Sequence, residues 1–177
     1  MRRLRRIGVV ATVVAVQIAG GCGGSPPPPL GAPTPSPTPT KDGHLSFTLL
    51  ALQCGITAVA GSHSDAPPDG QFCSARLRVD NHDPEFHTYV ARSQRLEGVT
   101  GRRGRPDTFA MAVRRQSDGV QIGGHDLIEV ELWFDVPLGA TVTGLRVEGD
   151  RDVDAFRSTS IVPHAPNGVL LPMTPTQ

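Results

Sequence analysis

The central part of the chain is predicted to be all-β, with two antiparallel sheets packed as a sandwich, and three observations carry that prediction. Residues 73 to 80 place Cys73, Ala75, Leu77 and Val79 on one face and Ser74, Arg76, Arg78 and Asp80 on the other. Residues 128 to 136 repeat the pattern, with Ile128, Val130, Leu132, Phe134 and Val136 facing inward and Glu129, Glu131, Trp133 and Asp135 facing outward. A period of two is the mark of a half-buried strand, because successive side chains leave opposite faces of the pleat. The third observation is punctuation. Clusters such as "APPDG", "NHDPE", "GRRGRPD" and "VPLGA" break the apolar runs at short intervals, and their residues favour turns.

The remaining strands are expected near 44 to 52, 56 to 60, 88 to 97, 108 to 114, 142 to 148 and 157 to 162. No segment carries the 3.6-residue period of an amphipathic helix, and no internal repeat is visible. Short strands separated by turns at this spacing build a two-sheet sandwich. The sequence divides into residues 1–21, an export signal; 22–43, a Pro-, Thr- and Ser-rich disordered linker; 44–164, the sandwich; and 165–177, a flexible tail.

The first division rests on Arg2, Arg3, Arg5 and Arg6, followed by an apolar run from Ile7 to Ile18 and the small residues Ala19, Gly20 and Gly21. A basic start, an apolar stretch of about a dozen residues and a small-residue end are the parts of a secretory signal. The run falls short of the ~20 residues a transmembrane helix needs. Cys22 follows at once, and the whole looks like a bacterial lipobox, in which the cysteine thiol takes up diacylglycerol. Ala19 departs from the leucine usual three residues before the cysteine. An ordinary cleaved signal with an incidental cysteine is the plainer alternative. Lipidation at Cys22 would anchor the chain to the membrane, two acyl chains being enough for stable attachment. The linker from Ser25 to Lys41 then reads as a stalk: polyproline II rises about 3.1 Å per residue, so these residues reach about 50 Å.

Overall charge is balanced at 17 basic and 17 acidic residues, but the four arginines of the signal hide an acidic remainder. Beyond residue 21 there are 13 Lys and Arg against 17 Asp and Glu, about −4 net. Such a chain has no global attraction to nucleic acid, and none is expected as a partner. Arg102, Arg103 and Arg105 read as a solvated loop, with contact to an anionic surface as the sharper possibility. The chain has three cysteines, and lipidation of Cys22 would leave Cys54 and Cys73 as an even pair. An oxidising exterior favours a bridge between them, worth about 3 kcal/mol of chain entropy. Two free thiols are the alternative.

Four stretches carry a resemblance: "LQCGITAV", "GQFCSARLRVDNHDPE", "SQRLEGVTGR" and "VELWFDVPLGATVTGLRVEG". In order and spacing, over residues 45 to 162, they are similar to the family called domain of unknown function 4352. The resemblance implies an immunoglobulin-like antiparallel β-sandwich carried behind a linker on lipoproteins of Gram-positive bacteria. Members usually have a Pro-Gly turn before the last long strand, where this chain has "IGGHDL". The family has no established activity, so the resemblance supplies no mechanism.

Candidate chemistry is sparse. "DRDVDAF" offers Asp150, Asp152 and Asp154 at alternate positions, but an EF-hand would require glycine and glutamate where Ala155 and Ile161 stand. "NHDPEFH" offers His82, Asp83, Glu85 and His87, donors suited to zinc, in a segment whose Asn, Asp and Pro read first as a turn. No nucleophile elbow, phosphate-cradling glycine motif or Cys-x-x-Cys occurs. The expectation is therefore no enzyme, no cofactor and no dedicated metal, in a recognition module for an envelope protein or ligand. An envelope-maintenance lipoprotein is the runner-up, ahead of a hydrolase or metal-binding protein. Strict alternation leaves Trp133, the only tryptophan, among Glu129, Glu131 and Asp135. An exposed indole there would mark the partner surface, whereas cover by a loop or by "NGVLLPM" would make it packing.

Overall fold

The computed structural model describes residues 34–35, 38–150 and 162–174. The predicted export signal, Cys22, most of the linker and the strand expected near 157 to 162 lie outside the described residues. Within them the fold is all-β, a sandwich of two four-stranded antiparallel sheets.

The first sheet has the order β10-β6-β3-β2, formed by β2 (Thr40–Asp42), β3 (Leu45–Ile56), β6 (Gln71–Asn81) and β10 (Leu127–Val136). The second has the order β1-β12-β11-β8, formed by β1 (Thr34–Pro35), β8 (Arg95–Glu97), β11 (Gly144–Val147) and β12 (Val169–Thr174). Two small ladders complete it, β4 (Val59–Ala60) with β5 (Asp65–Ala66), and β7 (His87–Val90) with β9 (Gly119–Ile122).

The predicted alternation is the packing. Cys73, Ala75, Leu77 and Val79 are completely buried, while Arg76 and Arg78 are exposed. Leu132, Phe134 and Val136 of β10 and Leu45, Phe47 and Leu49 of β3 join the same apolar cluster, which meets Leu96, Leu145, Val147 and Leu171 of the second sheet. Between Leu49 and Ala51 the β3–β6 register shifts, and Leu50 is turned outward. Gln94 ties the layers from inside. Its Nε2 donates to the carbonyls of Val90 and Glu148 at 2.8 and 3.1 Å, and its Oε1 accepts the Glu148 N–H at 2.9 Å. A buried amide with its partners supplied rigidifies the core instead of weakening it.

Four expectations need correction. Residues 108 to 114 form no strand: Thr108–Val113 is a short helix, α1. Asp107 caps it, its Oδ1 accepting the Ala110 N–H at 2.8 Å, and Ala110, Met111 and Ala112 are good helix formers. The span 88 to 97 is broken by a single 3-10 turn at Ala91–Ser93 into β7 and β8. The tail assigned to 165–177 is a core element over Val169–Thr174, where β12 lies between β1 and β11 and buries Leu171. Pro172 is accommodated because the Met173 N–H is the one reaching across, to Thr143 O at 3.0 Å, so the N–H that proline lacks would point away from β11. The sandwich likewise starts before residue 44, since β1 and β2 fall within the span assigned to the linker.

Leu171→Ala is expected to cost about 2–5 kcal/mol in urea unfolding, the range for truncating a buried leucine. A residue in a flexible tail would show no change.

Candidate functional site

At one end of the sandwich three segments distant in sequence bring four titratable side chains together. The first is the β2–β3 turn, which carries His44. Gly43 precedes it with φ +63°, the left-handed region that favours glycine, and the His164 ring lies directly over its α-carbon. The second is the turn after β6. Buried Asn81 organises it, its Nδ2 donating to the carbonyls of Glu85 at 2.7 Å and Gly123 at 2.9 Å and its Oδ1 accepting the Asp83 N–H at 3.0 Å. Asp83 Oδ1 in turn accepts the Glu85 N–H at 2.9 Å. The chain then enters β7 at His87, which points inward and is 8% exposed. The third is the segment after β11, where Asp150 is buried. Gly149 allows that approach, its N–H donating to Asp42 Oδ2 at 2.8 Å, while a Cβ on it would lie 2.1 Å from the Asp42 carbonyl.

The His44 and His87 rings stack, centroids 4.2 Å apart and planes 11° from parallel. Asp83 bridges them, with Oδ2 2.9 Å from His44 Nδ1 and Oδ1 3.6 Å from His87 Nε2. On its other side, His87 Nδ1 pairs with Asp150 Oδ2. His87 Nε2 and Asp150 Oδ1 are buried without a hydrogen-bond partner. The Glu85 N–H, and then the neighbouring imidazoles, hold the Asp83 carboxyl below its ordinary range. Asp42 sits beside this group with its own partners: Oδ1 accepts the Ala165 N–H at 2.7 Å, and His164 Nδ1 lies 3.7 Å from Oδ2.

Of the predicted donors, the fold assembles Asp83, His87 and Asp150, the last in an unforeseen role. His82 and Glu85 are exposed, and Glu85 takes part only through its backbone. Asp152 and Asp154 lie outside the described residues. His44 was missed, since nothing in the sequence links "KDGHL" to a turn about forty residues later.

Cys54 and Cys73 form a disulfide that ties the end of β3 to the start of β6. Arg102, Arg103 and Arg105 line a groove whose wall also holds Asp69, Asp107 and Asp135. Arg103 pairs with Asp69 at 3.1 Å and with Asp135 at 3.5 Å, and Arg105 donates to the Arg92 carbonyl at 2.9 Å. The arginines are thus partly answered by local acceptors.

Trp133 is 7% exposed, so of its two readings the packing one agrees with the structure and the exposed-indole one does not. It does leave the inner face, as alternation requires, but α1 and the β4–β5 ladder cover it with a second apolar layer. Phe72 meets its ring edge-on at 6.2 Å, and Arg114 stands over it at 5.7 Å. Neither the anticipated loop cover nor the C-terminal strand is responsible. Trp133 is packing, and exposure cannot make it the partner surface.

Trp133 emission should accordingly be blue-shifted and poorly quenched by iodide. Trp133→Ala should cost about 3–5 kcal/mol, as for other buried aromatics. Acid should destabilise the fold for a separate reason. Asp83 is held low by the Glu85 N–H, and Glu97 by its hydrogen bond from Arg146. A carboxyl with a depressed folded pKa contributes stability that is present above its unfolded value, about 4, and lost as pH falls through the folded value. The melting temperature should therefore fall below about pH 4. For Asp83→Asn that fall should be shallower, from a lower melting temperature at neutral pH.

The crystal structure of the yjhA protein from Bacillus subtilis is similar to this chain in fold. The TM-score is 0.53 over 75% of this chain and 92% of that one, at 13% sequence identity. At that identity the likeness carries the β-rich fold and nothing about activity. No protein-family description matches the sequence, and no curated protein does either.

Proposed function

We propose that the chain is an extracytoplasmic lipoprotein, anchored to the cell membrane through a lipid on Cys22, whose immunoglobulin-like sandwich is a non-catalytic recognition module. The observation that carries this reading is the use of the cysteines. Cys54 and Cys73 are joined to each other, which leaves Cys22, directly after the apolar run, as the one remaining thiol. A structural disulfide fits an oxidising compartment, and a lone cysteine at that place fits a lipid attachment site. Membership of the domain of unknown function 4352 family belongs to the same reading, supported by the four motifs quoted above.

Recognition then falls to the loops. With Trp133 under α1, exposed features near that end of the first sheet include Phe109, at 56% exposure, Leu138, and the arginine-lined groove. Loops held on a rigid sandwich are where such domains usually carry their contacts. On the His44 side, the described partners of both imidazoles are carboxylates and each other, with no hydroxyl or thiol among them to act as a nucleophile.

Cells fed a labelled fatty acid should incorporate it into the wild-type chain and not into Cys22→Ala, while both keep the Cys54–Cys73 bridge in a non-reduced digest. A wild-type chain that never takes up label removes the anchor. Crosslinking on intact cells should then capture an envelope neighbour through the loop face, and capture should fail when Phe109 is replaced by serine.

A further inference from the structure

We infer that His44, Asp83 and His87 bind a divalent transition-metal cation of the zinc class, with Asp150 orienting His87 from behind. This goes beyond the recognition reading and does not depend on where the chain is anchored.

The donors are close together. One donor from each of the three side chains lies within 4.8 Å of the others. The approaches to Asp83, 2.9 Å from His44 Nδ1 to one carboxylate oxygen and 3.6 Å from His87 Nε2 to the other, lie near the spacing of tetrahedral zinc ligands. Ligands about 2.0–2.1 Å from the metal stand about 3.3 Å apart. The rings are parallel, so seating a cation between their nitrogen lone pairs takes a rotation of one ring. His44 can supply it, standing in the β2–β3 turn outside the sheet ladders while His87 lies within β7.

Two features single out a metal over an ordinary ion-pair cluster. First, His87 Nε2 is buried and unpartnered. Such an atom carries a desolvation cost that a cation bound on that side would relieve. Second, the pairing of His87 Nδ1 with Asp150 places the ring proton there and turns the lone pair of Nε2 toward Asp83 and His44. A carboxylate behind a histidine is the usual second-shell partner of a metal ligand, fixing its tautomer and raising its basicity.

The donor set also chooses the metal. Two imidazoles suit zinc, copper or nickel, while calcium takes six or more oxygens and magnesium keeps most of its water. Three protein ligands leave a fourth position for water or for a donor from a bound partner.

The test uses the full chain in detergent, stripped with chelator and dialysed. Zn2+ should bind saturably at one site per chain and raise the melting temperature. Co2+ should give the intense visible bands of a tetrahedral nitrogen and oxygen site, while Ca2+ and Mg2+ should do neither. His44→Ala removes a ligand from a turn outside the sheet ladders, so it should fold and lose the cobalt spectrum. Asp150→Asn should weaken Zn2+ binding about 10- to 100-fold. His82→Ala, in the same turn but exposed, should leave binding unchanged. Absence of saturable Zn2+ and Co2+ binding to the folded wild type would overturn the site, as would binding that survives His44→Ala or is lost in His82→Ala.

Discussion

Every part of this molecule takes its position from β6. It is hydrogen-bonded along both edges, to β3 and to β10, and its inward side chains are buried without remainder. A one-residue slip of β3 or β10 would turn its own inward set, such as Phe47 and Leu49 or Leu132 and Phe134, to the wrong face, so the hydrophobic pattern fixes the register. Its first residues hold the disulfide to β3, and its last, Asn81, dictates the turn that carries Asp83. The core, the covalent tie and the histidine cluster are therefore consequences of one strand's placement.

Much of this was written in the alternation. Residues 73 to 80 and 128 to 136 announced β6 and β10 because an antiparallel strand with one wet face has to alternate, and nothing in the fold contradicts them. Other elements were illegible for physical reasons. "TFAMAV" is too short for a helical period to rise above a strand-like apolar run, and only Asp107 before it hinted at a cap. "VLLPMT" concealed β12 because its proline argues against a sheet interior, and whether a missing N–H matters depends on which side it would face. Trp133 misled because alternation gives the face of a residue but says nothing of what packs on that face.

The histidine cluster shows a different limit. His82, Asp83, Glu85 and His87 were near in sequence, yet adjacency was a poor guide: the turn exposes two and keeps two. The companions of those two, His44 and Asp150, come from the other side of both sheets' connections. Spacing motifs report sites built within one element, whereas this one is built where three connections converge. Its signals were local oddities instead, such as the glycine before His44, which takes a positive φ, and the glycine before Asp150, needed because the Asp42 backbone passes too close for a side chain.

The placement of β12 has a consequence for the order in which the molecule can come into being. Its partners are β11 on one side and β1, at the opposite end of the described chain, on the other. A chain made from its N-terminus has every other strand available before this one exists. Until then β11 presents Leu145 and Val147 along an open edge, and β1 has nothing to pair with. Unpaired edges of that kind recruit other chains. The second sheet thus closes only when Val169–Thr174 is free to pair, and whatever still holds that segment keeps the sandwich ajar.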